Sequence, residues 1–308
     1  MSERGAIARG DALPVTRQGL MNLLTVYLVW GSTYLAIRLV VRPGAGVQPF
    51  TLGFVRMLVA GLILLAWGAL RGGVPRPTLR ELGVLAGSGL LLWTGANGMV
   101  AWAEQRIDSS YAAVLIATIP LWTVAIEALL DRNPPSRMTG LSLLLGFSGT
   151  IVLSAPGLRH ANPGDARSLL MLVLAPLVWS FGTLLQRRNP TRMPVRVSAG
   201  IQLIFAGIGF GILMLLAGES WPQPTLQAAL AWVYLIIFGS IFAFTAYVQV
   251  LQLLPSSLAM TYAYVNPVIA VFLGAWLLDE KLTITTLVGA GLVLLGVLGV
   301  FRARAVHH

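Results

Sequence analysis

The residues best suited to hold a small molecule in this sequence are uncharged hydrogen-bonding groups and aromatic rings at helical spacing. Trp30 and Tyr34 stand four apart, as do Trp93 and Asn97, Thr118 and Trp122, Trp179 and Thr183, Thr245 and Gln249, and Tyr262 and Asn266. Residues three or four apart share one face of a helix. Tyr27, Glu104, Tyr111 and Gln252 extend these stripes. Amides and hydroxyls suit the carboxylate and ammonium of a small zwitterion, and rings suit its apolar remainder. An ammonium over a tryptophan or tyrosine face also gains cation–π attraction. The same residue types have structural uses: Trp and Tyr gather at membrane interfaces, and Thr and Asn bond helix to helix.

Catalytic chemistry finds little support. The three histidines are His160, His307 and His308, and there is no cysteine. No Gly-x-x-x-x-Gly-Lys-[Ser/Thr] cradle for phosphates occurs. No metal, no cofactor and no enzymatic activity are therefore expected. Ionisable groups inside apolar runs are costly and informative. Arg56 lies within such a run, placed to hold a substrate carboxylate or to fix a helix end, with the structural role favoured. Glu127 stands one turn from the end of another run and is expected to reach water or meet Arg132 or Arg137. Glu104 and Asp108 flank Arg106 at a boundary, so no carboxylate is expected at mid-depth.

The elements that position these residues are apolar helices. The chain of 308 residues is 56% hydrophobic and 10% charged, with a mean hydropathy of +0.80, against about 25% charged in soluble domains. Ten runs, spans 1 to 10, cover about 20–41, 50–70, 82–104, 108–130, 138–156, 167–187, 197–217, 227–249, 256–278 and 283–302. Each has roughly the twenty residues a helix needs to cross a bilayer. They are continuously apolar, whereas a barrel strand alternates. Short connections leave no room for a soluble domain. The expected fold class is an all-α polytopic membrane protein.

No cleaved signal peptide is expected ahead of span 1. Alternation of the spans, with the N-terminus in the cytoplasm, puts fourteen basic residues on the cytoplasmic side and six outside: Arg38, Arg42, Arg106, Arg159, Arg167 and Lys281. Arg56 lies in the membrane. The bias predicts both termini cytoplasmic, which an even number of spans requires. It also explains the net charge of +10 without nucleic-acid binding, which is excluded as a partner. The expected partners are a small-molecule substrate and the lipid bilayer, with the chain a monomer or weak homodimer.

The two halves repeat. Gln105-Arg-Ile-Asp-Ser-Ser-Tyr-Ala-Ala, continuing to Pro120, aligns without a gap on Gln252-Leu-Leu-Pro-Ser-Ser-Leu-Ala-Met, continuing to Pro267. Leu28-Val29-Trp30 pairs with Leu177-Val178-Trp179 at almost the same offset. The expected organisation is a cytoplasmic segment 1–19, a five-helix repeat 20–156, a periplasmic linker 157–166, a second repeat 167–302 and a cytoplasmic tail 303–308. Five crossings is an odd number, so the second half enters from the opposite side as an inverted repeat. Ser109-Ser110 and Ser256-Ser257 suit caps for spans 4 and 9. Pro120 and Pro267 are predicted helix kinks that free the carbonyls of Ile116 and Ala263. A freed carbonyl must face protein or a wet cavity, and broken spans at matched positions point to a transporter's site. Gly83/Gly87 and Gly207/Gly211 fit close helix packing.

Two five-helix repeats, Trp30-Gly31 in span 1, Phe54-Val55-Arg56 in span 2 and Leu278-Asp279-Glu280-Lys281 after span 9 resemble the EamA-type drug/metabolite transporters. The chain is most similar to the YddG-like bacterial inner-membrane exporters of amino acids and related metabolites. The resemblance implies a central cavity lined by spans 1, 3, 4, 6, 8 and 9 and alternating access between the halves. Small relatives that export cationic drugs use a glutamate in their first helix, which spans 1 and 6 lack. The expected function is facilitative export of small neutral metabolites, aromatic or branched amino acids foremost. A flippase or exporter of a lipid-linked or nucleotide sugar, and a proton-coupled drug exporter, are the alternatives.

Overall fold

The computed structural model describes residues 15–103, 106, 109–158, 165–278 and 282–305. The side chains of Ser109, Ser110 and Tyr111 lie outside the described part, as do Glu104, Asp108, Arg159, His160, Lys281 and the two tails. Among the described residues, ten helices are long and apolar enough to cross a membrane: span 1 Arg17–Val41, span 2 Pro49–Leu70, span 3 Leu79–Ala103, span 4 Ala112–Asp131, span 5 Arg137–Pro156, span 6 Ala166–Arg188, span 7 Val195–Leu216, span 8 Leu226–Leu253, span 9 Ser256–Leu273 and span 10 Ile284–Ala303. The protein is an all-α polytopic membrane protein, with no strand among the described residues. Its outer faces carry large exposed side chains such as Leu70, Leu129, Leu215, Leu216, Leu226 and Trp276. An apolar surface of that extent is unfavourable in water and favourable against lipid.

The halves start their helices alike. Thr16 caps span 1 by accepting from the Gly19 amide at 3.0 Å, and Asp165 caps span 6 from Ser168 at 2.7 Å. Thr78 accepts from the Glu81 amide in span 3 and Thr225 from Ala228 in span 8. Ser136 and Thr283 each accept from an amide three residues on, both at 3.1 Å, to begin spans 5 and 10. Pro49 and Pro194 open spans 2 and 7, where a missing amide costs nothing. Spans 3 and 8 both loosen into π-helical turns, over Leu90–Asn97 and Leu235–Phe242.

Packing repeats too. Span 2 lies against span 7 and span 5 against span 10, while span 1 packs on spans 8 and 9 as span 6 packs on spans 3 and 4. Small residues bring spans 5 and 10 together: a Cβ on Gly289 would sit 2.4 Å from the Leu153 amide nitrogen, and one on Gly149 2.5 Å from that of Val293. Gly207 meets Leu58 closely across spans 7 and 2, whereas Gly83 faces open space.

Span 4 breaks where expected, at Ala117–Thr118 just before Pro120, and Thr118 turns its hydroxyl back to the Leu115 carbonyl at 2.6 Å. Span 9 differs. Its break falls at Met260–Thr261, and Pro267 lies inside the continuous helix Tyr262–Leu278. Thr261 causes the shift by donating to the Leu258 carbonyl and bonding the Tyr27 hydroxyl of span 1. Ser256 does not cap span 9; Pro255 occupies the cap position and the Ser256 hydroxyl is used elsewhere.

Candidate binding site between the halves

Spans 1, 3, 6, 8 and 9 bring six rings into one buried cluster. Trp30 is the hub: its ring centroid lies 6.2 Å from Trp93, 5.9 Å from Trp179, 5.1 Å from Tyr247 and 5.1 Å from Tyr262. Trp93 meets Trp179 at 6.0 Å and Phe244 at 5.2 Å, and Tyr247 meets Tyr262 at 5.7 Å. Most of these pairs meet edge to face, the arrangement that the ring quadrupole favours. The two tryptophans of the repeated Leu-Val-Trp thus touch each other at the centre.

Several polar atoms in and beside this cluster are buried without a hydrogen bond of good geometry: Nε1 of Trp93 and Trp179, the Tyr262 hydroxyl and, one turn beyond it, the Asn266 Oδ1; the Thr245 hydroxyl of span 8 is likewise unsatisfied on another face of its helix. Each such atom left dry costs about 1–3 kcal/mol. Donors and an acceptor gathered this way are suited to a ligand that offers both. Their neighbours are satisfied. Trp30 donates to the Gly239 carbonyl at 3.0 Å, and the Tyr247 hydroxyl pairs with Thr183 at 2.7 Å. Arg56, 6% exposed, donates from Nε to the Ser240 hydroxyl at 2.7 Å and holds its guanidinium 5.4 Å from the Trp93 ring centre.

Not every residue of the sequence stripes comes to the cluster. Trp30, Trp93, Trp179 and Tyr262 do, and Asn266 is buried one turn beyond Tyr262. Tyr34 is 41% exposed. Asn97 serves its own helix, donating to the Leu92 carbonyl of the π turn at 2.9 Å. Trp122 is 38% exposed on the stripe of Ala125 and Leu129, and Thr118 works at the helix break. Gln249 accepts from Asn22 of span 1 at 2.8 Å, away from the rings. The inward residues of span 8 are instead Ser240, Phe244 and Tyr247, which the stripe Thr245–Gln249–Gln252 passed over. The polar stripe and the two rings lie on different faces of one helix, Ala243–Leu253, whose buried face carries Phe244, Tyr247, Val248 and Leu251.

A second polar cluster closes the end of the bundle where span 1 begins and span 10 finishes. Glu127, expected at water, Arg132 or Arg137, turns inward instead. It is 7% exposed, accepts from Ser256 Oγ at 2.9 Å and lies 3.7 Å from Arg187 Nε. Arg187 also donates to the Leu254 carbonyl at 2.7 Å, and Arg188 meets Asp131 at 2.8 Å. These contacts join span 4 of one half to spans 6, 8 and 9 of the other.

Comparison with known proteins shows two copies of one unit. The EamA-like transporter family matches residues 17–155 and again 166–302, one match for each set of five spans. The chain belongs to the EamA-like transporter family. It is 37% identical over 278 residues, 89% of this chain and 88% of the other, to a protein of Escherichia coli strain K12 named "Uncharacterized inner membrane transporter YedA". Similar too is YicL of Salmonella typhimurium LT2, also named an inner membrane transporter, at 25% over 92% of this chain and 95% of its own. One crystal structure superposes with a TM-score of 0.77 over 94% of this chain and 99% of its own at 22% identity, a likeness of fold. This EamA-like protein is accordingly a multi-pass transporter of the inner-membrane kind.

Proposed function

We propose that this EamA-like protein exports small neutral metabolites, aromatic or branched amino acids foremost, through the ring cluster by alternating access. The observation that carries the reading is the buried cluster of six aromatic rings, with Trp93 Nε1 and, one turn beyond Tyr262, Asn266 Oδ1 buried without a hydrogen bond of good geometry. Indole N–H groups and the Tyr262 hydroxyl suit a carboxylate, Asn266 Oδ1 suits an ammonium, and the rings suit an apolar side chain. The two halves, as an inverted repeat with the site between them, fit rocking of one half against the other. The fourteen-to-six arginine and lysine bias supports both termini in the cytoplasm, which makes the Glu127–Arg187 cluster a cytoplasmic seal. No acid of the described residues joins the ring cluster, which supports facilitative transport.

A side crevice of about 420 Å³ between spans 1, 8 and 9, lined by Ser32, Leu35, Leu39, Leu230, Tyr234 and Leu273, favours a second reading, a flippase for a lipid-linked sugar. Purified protein in liposomes, offered radiolabelled amino acids, a nucleotide sugar and a lipid-linked sugar, decides between them. Flux of phenylalanine and leucine is expected. Failure of all aromatic and branched amino acids while a sugar conjugate moves would overturn the proposal, and steep dependence on an imposed pH gradient would remove the facilitative part.

A further inference from the structure

Arg56 carries a charge that the described protein does not neutralise. It is 6% exposed within span 2, and a buried ion without a counter-charge is among the costliest features a protein keeps. Among the described residues every carboxylate is engaged elsewhere. Glu81 bonds Thr78 and the Arg192 amide, Glu127 joins Ser256 and Arg187, Asp131 pairs with Arg188, Asp165 with Ser168 and Arg106, and Glu219 with Thr51. The Arg56 guanidinium is nonetheless positioned with care. Nε is tied to Ser240, the plane is held near Trp93, and Gly239 leaves room for the fork, since a Cβ there would lie 2.8 Å from Nη2. A tether through Nε leaves the two terminal nitrogens, the pair that takes a carboxylate bidentately, beside a ring of the cluster.

We propose that Arg56 is the anion-binding residue of this site and that its ligands must carry a carboxylate next to an apolar or aromatic body. This rests on the transport reading only in placing the substrate at the rings. A zwitterionic amino acid satisfies the requirement, and so does a simple aromatic acid; an amine or amide of the same shape does not.

The test reads quenching of intrinsic tryptophan fluorescence, because Trp93 adjoins the guanidinium, and inhibition of phenylalanine flux. The probes are 3-phenylpropionate, 3-phenylpropionamide and 2-phenylethylamine. In the native protein the acid is expected to bind at least about tenfold more tightly than the amide or amine, as hydrogen bonds to charged groups imply. Arg56→Gln should bring the three within about twofold of one another, and Ser240→Ala, which keeps the charge but frees Nε, should weaken the acid alone. Equal binding of acid and amide by the native protein, or no response to the acid, overturns the proposal without recourse to a variant. A folded Arg56→Gln protein that keeps the preference overturns it too. If phenylalanine is not carried but the acid still quenches through Arg56, the amino-acid reading fails and the anion site stands.

Discussion

Replacing Glu127 with glutamine removes one charge from the seal at the end of the bundle while leaving an oxygen for Ser256 to bond. The native pair is almost dry, with side chains 4% and 9% exposed at 3.7 Å. At that separation the attraction is about 4.5 kcal/mol at an effective dielectric of about 20. Breaking a buried pair from one side costs about 3–5 kcal/mol, because the remaining ion stays uncompensated. Arg187 keeps its bond to the Leu254 carbonyl, so the low end, about 3 kcal/mol, is expected. The cost falls on the sealed state, since an opened end lets water reach Arg187. At 1.4 kcal/mol per factor of ten, the sealed state should lose about two orders of magnitude in population relative to the open one. The chain has no cysteine, so one introduced thiol reports the opening. Thr183→Cys places it at a fully buried position one helical turn behind Arg187. Maleimide labelling from the side where span 1 begins should rise about 100-fold on adding Glu127→Gln. Pairing Glu127→Leu with Arg187→Met should restore slow labelling, because two apolar groups seal as well as an ion pair. A folded Glu127→Gln protein labelled within threefold of its parent would refute the latch.

Glu219→Ala should lower thermal stability in detergent by about 1–3 kcal/mol; Glu219 accepts from the Phe50 and Thr51 amides at 3.0 and 2.6 Å where the start of span 2 lacks a side-chain cap of its own. An unchanged midpoint would show those amides content with water. Gly289→Ala drives a methyl into the Leu153 backbone and should cost about 1–3 kcal/mol by overpacking, with Gly291→Ala, which faces open space, as the silent control. The Asp165 carboxyl is held below its usual range chiefly by the Ser168 amide, against some desolvation, with Arg106 adding to it. A lowered folded pKa gives stability that is present above the unfolded value of about 3.9 and is lost as pH falls through the folded one. The melting gap between native and Asp165→Asn protein should therefore narrow between pH 7 and pH 3, and a constant gap refutes the cap.

How much of this was visible in advance depends on whether the deciding force was local. Span length and the matched Leu-Val-Trp are local signals, and Trp30 and Trp179 could be paired before either was placed; Ser256, expected as a cap, bonds Glu127 instead. The break in span 4 followed from Pro120 alone. The break in span 9 did not follow from Pro267, because a threonine bonded to another helix decided it. Tyr247 was missed since the stripe in span 8 was chosen for its polar residues, and the buried face of the same helix is the apolar and aromatic one. Glu127 and Arg187 lie sixty residues apart, and a charge near a helix end carries no sign of whether it faces water or a partner; Arg187 was counted only as topology, and Glu127 was expected at water, Arg132 or Arg137. The repeat holds a clue that goes further than either charge. Arg187 follows Trp179 by eight residues, as Arg38 follows Trp30. Sequence alone files both arginines as flanking charge, yet the structure makes one of them the core of a seal between the halves. In a protein built from two copies of one unit, an arginine at a repeated distance from a central tryptophan is therefore evidence about the bundle's ends, and not only about its orientation.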